Sequence, residues 1–458
     1  MAFQRRSFTR GDKMKRYFTG ALVLTCVVLA ASCGSSGADS GRKIVLGGLF
    51  ADDVDPLSRK ELYGVRMAVE DMNASGAFSL PVEVATRSPA LGDVIDQQRV
   101  KDGVLELADV EGAVAFVSGH GGESSFTQND VTNQQQYSNF VRCANTANEP
   151  TSNLPGFDAR ADYTDTFYRT VVDWSYHLDF GAWFFEQKQL FKIGLIRIDD
   201  QVGFLAMQYI RQKIEELSYK GFELVFDKAV SPGAFVLEDN RQWMDEIITL
   251  SQEGNVDVTV IVTFQAQTND IIKYLTENGF RSVLFLNTSS TTTDLFTIAT
   301  GIPNWLQTAG NEIYSLNPDN YHGPYGEQFL ERFRQEFGEE PSPYSATAYE
   351  CAFTLGLAML YAGEPEPTRD GVWQNMKKFK ESERTQDEVD VGIGADEFAR
   401  AAQLIGEGKR VNFLGSSGRI IFDENGDRPN QGMCLYGPNS SVTAWEIKEC
   451  YDENLQRL

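Results

Sequence analysis

The residues of this chain best placed to do chemistry sit at two turns. Ser118-Gly-His-Gly-Gly-Glu-Ser-Ser125 follows the apolar run Ala113–Val117, and Ala144-Asn-Thr-Ala-Asn148 follows Phe140–Cys143. Each reads as the carboxyl end of a strand, and the first opens into a polar helix. Hydroxyls, carboxamides and free backbone N–H groups placed there suit a carboxylate or another small anion, helped by the positive end of a helix dipole. Open α/β sheets bind their ligands at this edge. The chemistry is that of a binding cleft. A reaction centre would need a paired nucleophile and base, or a metal. The chain has no Gly-x-Ser-x-Gly elbow and no phosphate loop, and His120, His177 and His322 are far apart in sequence. With no CxxC and no Cys/His pair, no metal, cofactor or enzymatic activity is expected.

The elements that must position these turns alternate between strand and helix. Lys43–Phe50 reads as a strand, Glu61–Asn73 as a helix with Leu62, Val65, Ala68, Val69 and Met72 on one face, Leu80–Thr86 as a strand and Asp93–Leu107 as a helix. After a crossing region at Glu149–Asp165, a second set follows: strands Lys192–Ile198, Phe222–Lys228, Val256–Thr263 and Ser282–Asn287 with helices between them. Pro324–Phe337 and Ser345–Tyr361 return to helix. This alternation predicts an α/β fold of two doubly wound parallel-sheet lobes. At 458 residues a single core is too small for the chain, and a net charge of −24 disfavours nucleic acid and anionic surfaces as partners.

The first 33 residues read as an export signal. Lys15 and Arg16 precede the apolar run Ala21–Ala31, too short for a permanent span, and Leu29-Ala-Ala-Ser-Cys33 resembles a lipobox whose cysteine is acylated. Met14 is as plausible a start as Met1, and Gly34–Arg42 reads as a tether. Export makes disulfides possible for Cys143, Cys351, Cys434 and Cys450, with three pairings open. Cys434 and Cys450 flank a hairpin, but a tight turn at Asn439-Ser440 would set Trp445 opposite Cys434. Their bond would then require the chain after Ile447 to fold back. Asp423-x-Asn425-Gly-Asp427 lacks the spacing of a calcium loop and reads as a hairpin turn between strands.

Taken in order, these residues resemble the type I periplasmic binding proteins, most closely the branched-chain amino-acid group. The resemblance rests on Lys43-Ile-Val-Leu-Gly-Gly-Leu49, Gly64-x-x-x-Ala68-Val-Glu-Asp-Met-Asn73, Gly119-His120 with Ser124-Ser125, Phe167-Tyr-Arg-Thr170, Tyr344-Ser-Ala-Thr-Ala-Tyr349-Glu350 and Gly415-Ser-Ser-Gly418 with Phe422-Asp-Glu-Asn-Gly-Asp427. It implies two lobes joined by three crossing strands, near 162–169, 304–318 and 406–415. The first lobe would comprise 43–163 with 318–408, and the second lobe and hinge 164–308 with part of 415–450. It implies carboxylate binding by Ser124 or Ser125 with Asn145, Thr146 and Ala147, though the two serines would serve equally as helix caps. From the second lobe it implies Asp200, Val202, Phe264 and Ser289 as ligand neighbours. Val202 stands where an aromatic is usual, and Ser289 where amino-acid binders place an acidic group, which opens the way to a less basic ligand. The implied function is capture of a small polar solute and its delivery to an ABC permease by an exported, lipid-anchored protein. A sensor of the same fold, or a structural envelope lipoprotein, is the alternative.

Overall fold

A computed structural model of the chain describes residues 41–458 except 92–93, 120–122, 148–164, 233–234, 289–293, 364–365, 430 and 453. The expected signal segment, most of the tether, Cys33, His120 and Ser289 lie outside the described residues.

The first lobe is built from β1 (Ile44–Leu49), α1 (Pro56–Ala74), β2 (Val82–Arg87), a short hairpin of β3 (Ala90–Leu91) and β4 (Val94–Ile95), α2 (Gln97–Asp109), β5 (Ala115–Ser118), α3 (Glu123–Thr132), β6 (Val141–Ala144) and β7 (Phe167–Arg169). Its sheet runs β2-β1-β5-β6-β7, all parallel. α1 starts five residues before the expected Glu61, because the Asp55 carboxylate caps the N–H groups of Leu57 and Ser58 and Pro56 fits the first turn.

The second lobe contains α4 (Trp174–Lys188), β8 (Lys192–Ile198), α5 (Gln201–Glu216), β9 (Glu223–Val230), α6 (Leu237–Gln252), β10 (Val258–Val262), α7 (Gln265–Glu277), β11 (Val283–Leu286), the short α8 (Asp294–Ile298) and α9 (Ile302–Trp305), and β12 (Ile313–Pro318). The chain then returns to the first lobe as α10 (Gly326–Phe337), α11 (Ser345–Ala362), α12 (Arg369–Met376), β13 (Val389–Val391), α13 (Ala395–Gly406), β14 (Val411–Gly415) and β15 (Gly418–Arg419), and ends in the second as β16 (Met433–Pro438) and β17 (Trp445–Tyr451). The second sheet has the order β17-β16-β12-β11-β10-β8-β9, parallel except for the last two strands in sequence.

Both sheets are covered on both faces, as near-continuous β-branched strands require. One face of the first sheet packs Leu46 and Val117 against Leu62, Val65 and Met72 of α1 and the buried length of α11. The other packs Val45, Leu49 and Phe116 on Val100, Val104 and Leu107 of α2. Approach of α1 to α11 needs Gly64, where a Cβ would meet the Ser345 carbonyl at 2.1 Å.

The crossings differ from expectation. Phe167–Arg169 is a strand of the first sheet, so the first crossing follows it. β14 and β15 pair with β13, and Phe413, Ile420 and Phe422 sit in the first core, Phe413 stacked on Phe353 at 4.5 Å. The third crossing is therefore Asp423–Gly432, not 406–415, and 415–422 belongs to the first lobe. The Asp423-x-Asn-Gly-Asp427 turn lies within that crossing. It does not join paired strands: Asp423 Oδ1 accepts from the N–H groups of Asn425 and Asp427, and Gly426 O accepts from Arg169 N.

The first and third crossings meet at a buried polar node. Glu350 of α11 accepts from Ser417 N at 2.8 Å and Ser417 Oγ at 2.6 Å. Arg428 donates to Ser417 Oγ at 2.7 Å and to the Thr170 carbonyl at 3.2 Å. Arg169 reaches Asp427 at 2.9 Å.

Two disulfides form among the described residues. Cys434 faces Cys450 directly in the β16–β17 ladder, because the connection Asn439–Ala444 is longer than a tight turn and a bulge at Leu435/Tyr436 adjusts the register. The chain after Ile447 stays extended and does not fold back. Cys143 of β6 joins Cys351 of α11 across 208 residues, with a Cα–Cα distance of 5.5 Å. Replacing both Cys143 and Cys351 with Ala is expected to lower unfolding free energy by about 2–5 kcal/mol, read as a shift in denaturant midpoint. An unchanged midpoint would show that packing alone fixes α11 to the first sheet.

Candidate functional site

The carboxyl edge of the first sheet gathers the turns after β1, β5 and β6. Ser124 and Ser125 lie in the first turn of α3, both buried. Gln128 donates to Ser124 Oγ at 2.9 Å, and Arg142 donates to Ser125 Oγ and to the Ser125 carbonyl at 2.8 Å each. Both hydroxyls thus anchor the start of α3, and Arg142 lies over the Phe167 ring at 4.4 Å. Asn145 and Ala147 are buried beside them. Asn145 N donates to Ser118 O at 3.2 Å and its carbonyl accepts from Thr347 Oγ1 at 3.0 Å. The Ala147 carbonyl accepts from Arg169 at 3.1 Å. Two buried atoms at this edge, Asn145 Oδ1 and Thr146 Oγ1, have no hydrogen-bond partner among the described residues. A buried polar atom left unmatched costs about 1–3 kcal/mol, so such atoms mark a place where a ligand or water can be bound.

Beneath the edge stands Glu61 of α1, 5% exposed, accepting from Asn145 Nδ2 at 3.1 Å. Burial pushes its carboxyl up to about 8; the Asn145 hydrogen bond opposes the shift and Asp55 adds to it. Gly119 makes room for it: a Cβ there would meet Glu61 Oε2 at 2.6 Å and the Phe50 ring at 3.0 Å. Tyr344, which caps α11, has its carbonyl 3.5 Å from Asn145 Nδ2, and burial raises its phenol while the neighbouring Thr288 hydroxyl opposes the shift. Thr288 lies just past β11 and donates to the Leu316 carbonyl at 3.0 Å. The Tyr344–Thr288 contact therefore joins the first-lobe edge to the second. Glu61, Tyr344 and Thr288 were not among the sequence candidates. Their partners are 84, 56 and 28 residues away, so no local spacing points to them.

At the carboxyl edge of the second sheet, Asp200 caps α5 through Gly203 N at 2.8 Å. Val202 lies in the first turn of the same helix. Phe264 begins α7 with 56% of its surface exposed, and Phe204 and Val236 at neighbouring strand ends are also exposed. An apolar rim thus faces solvent at the edge that joins Tyr344. A half-open apolar hollow of about 50 Å³ between α4, α5 and the sheet face is lined by Phe185 and Val260 and includes none of these edge residues. The structure also brings together His322 Nδ1 and Cys434 Sγ at 3.9 Å, a Cys/His pair that sequence reading missed because 112 residues separate them.

A model of the periplasmic binding proteins matches residues 47–384. A leucine binding protein of Thermotoga maritima is similar in structure, with a TM-score of 0.64 and 13% identity over 90% of this chain and 99% of that one. A branched-chain amino acid transporter substrate binding protein of Streptococcus pneumoniae, in complex with isoleucine, gives 0.65 and 14% over 91% and 99%. A solute binding protein of an ABC transporter from Rhodopseudomonas palustris, in complex with 3,4-dihydroxybenzoic acid, gives 0.61 and 12% over 90% and 98%. At these identities the likeness is one of fold. No curated protein matches the sequence significantly.

Glu61 gives the site a pH signature. Its carboxyl titrates near 4.5 when unfolded and at about 8 when folded, so the folded chain holds the extra proton between those values. Its contribution to stability is full below about 4.5, is lost as pH rises through about 8, and is constant above. The Glu61→Gln chain lacks this slope. The stability of the native chain relative to Glu61→Gln should therefore fall by a few kcal/mol between about pH 5 and about pH 9, measured by denaturant midpoints. A flat difference would place the Glu61 carboxyl in water.

Proposed function

The chain belongs to the periplasmic binding protein family, and on that premise we propose that it is an extracytoplasmic receptor, lipid-anchored through Cys33, that captures a small carboxylate-bearing solute between its lobes and delivers it to an ABC importer. The observation that carries this reading is the unmatched pair of buried acceptors, Asn145 Oδ1 and Thr146 Oγ1, at the carboxyl edge of the first sheet. Thr146 offers a hydroxyl that both donates and accepts, and the adjoining start of α3 suits an anion. In this reading Ser124, Ser125 and Ala147 build the turns and present their backbone, while Asp200 and Phe264 belong to the opposite wall. Phe264 supplies an exposed ring as the apolar platform. Leucine, isoleucine and 3,4-dihydroxybenzoic acid, the ligands named for the similar proteins, share a carboxylate on an apolar body.

No helix among the described residues is long and apolar enough to cross a membrane. Attachment in this reading is by the acylated cysteine. Mass spectrometry of the mature protein should find diacylglycerol on Cys33, and an unmodified N-terminus would remove the anchor from the proposal.

A thermal-shift panel of aliphatic amino acids, benzoate, dihydroxybenzoate and uncharged analogues tests the ligand class. A true ligand at about 100 times its dissociation constant should add about 2.7 kcal/mol of stability. Thr146→Val should weaken binding by about tenfold, the value of one hydrogen bond to a charged group, and Phe264→Ala should weaken it for aromatic or branched ligands with little change in the melting temperature of the free protein. Response to none of the carboxylates would overturn the ligand class. Uptake that survives deletion of the protein, with a lost response to the solute, would replace the importer by a signalling partner.

A further inference from the structure

Asp319, His322, Cys434 and Cys450 place one ligand atom each within 4.8 Å of one another. We propose that these four residues form a zinc-class metal site in the dithiol state of the protein, exchangeable with the Cys434–Cys450 disulfide. The donor set is two sulfurs, an imidazole and a carboxylate, which favours a tetrahedral borderline-soft cation over calcium or magnesium. With Zn–S of about 2.3 Å and Zn–N of about 2.0 Å, the ligand atoms of such a site stand about 3–4 Å apart. Here His322 Nδ1 lies 3.9 Å from Cys434 Sγ and 2.8 Å from Asp319 Oδ1, so the two sulfurs must separate and the imidazole must draw back from the carboxylate to admit the ion.

The surroundings suit a built site. Asp319 is 6% exposed, and its Oδ1 is already oriented by the N–H groups of Tyr321 and His322, both at 3.1 Å. Both sulfurs are buried, whereas the His322 side chain is 44% exposed. That imidazole lines an open groove with Pro324, Glu327 and Ile447, through which an ion can enter. The chemistry balances with an external dithiol as reductant. The S–S bond breaks, the two sulfurs gain two electrons and two protons, and the dithiol closes to its own disulfide. Ion binding then releases both thiol protons, and the Nδ1 proton of a neutral His322 moves to Nε2 as Nδ1 takes up the ion.

The position gives the exchange a consequence. β12 ends at Pro318, and Asp319–His322 begins the crossing that carries the chain back to the first lobe. In the disulfide state the two sulfurs clamp only β16 to β17. In the metal state the same sulfurs also hold the crossing segment, so the ion fastens a hinge strand to the second sheet.

The test uses the full folded chain, reduced with dithiothreitol, freed of reductant under nitrogen and titrated with cobalt(II). The expected result is one cobalt per chain with a sulfur-to-cobalt charge-transfer band, displaced by zinc, and no band in the oxidised protein. Replacing Cys143 and Cys351 with Ala should leave the band intact. His322→Ala, at an exposed side chain, should weaken cobalt binding by at least about tenfold, since even residues that only support a ligand are worth that much. A reduced protein without the band, equal binding before and after reduction, affinity unchanged in both His322→Ala and Asp319→Asn, or a reduced chain that unfolds would each overturn the site.

Discussion

The crossings between the lobes are fastened to the first lobe through a buried ion pair that burial alone would oppose. Glu350 and Arg428 are both almost fully buried, their charged atoms 3.9 Å apart. Desolvation raises the Glu350 carboxyl, and Arg428 with the Ser416 and Ser417 donors pulls it back. Such a pair adds little net stability compared with an apolar replacement, but removing either partner strands a charge. Its value is positional. Glu350 belongs to the long buried helix of the first core, Arg428 to the third crossing, and the carbonyl it reaches, Thr170, to the first crossing. Thr170 Oγ1 also donates to Thr347 O on that helix at 2.8 Å. Two crossings are thereby registered against one rigid element, which is what a hinge that opens and closes as a unit needs.

Gly415-Ser-Ser-Gly418 exists to serve this node. A Cβ at Gly415 would lie 2.2 Å from Glu350 Oε1, so the carboxylate can reach the Ser417 N–H only across a glycine. The same close approach recurs at the ligand edge, where Gly119 admits Glu61. In both places a carboxylate is buried against backbone, and in both the glycine is fixed by that approach.

The strand and helix positions were legible because apolar periodicity is local. Val256–Thr263 reads as a buried strand on its own residues, and Ser345–Tyr361 as a helix. What was not legible depends on partners far along the chain. Nothing near Phe413 announces that it will stack on Phe353, so the third crossing was placed too early. The hairpin register at Cys434 failed for a different reason: Asn439-Ser440 is turn-like, but the asparagine side chain instead accepts from Thr443 N at 2.9 Å and stabilises a longer loop. The turn that carries Thr146 was legible because its residues give a local signal. Glu61 was not, because in sequence it is one more charge on an amphipathic helix.

These burials leave the first-lobe edge electrically quiet. Glu61 holds its proton at neutral pH and so brings no full charge to the cleft. The Arg142 guanidinium is turned into the fold by Ser125 and Gln128. In the proposed reading, a ligand carboxylate arriving there meets hydroxyls, amides and a helix start. The outer surface, at a net charge of −24, repels the same anion at a distance. That repulsion is screened within about 8 Å at physiological salt, whereas hydrogen bonds inside the closed cleft are not. Recognition therefore depends on how well the short-range donors and the apolar rim fit the solute, and long-range attraction contributes nothing to it. A site of this kind discriminates by shape and hydrogen-bond count. In the proposed reading, closure of the lobes is the step that supplies affinity, since closure brings the Phe264 side of the cleft onto a solute held at Thr146.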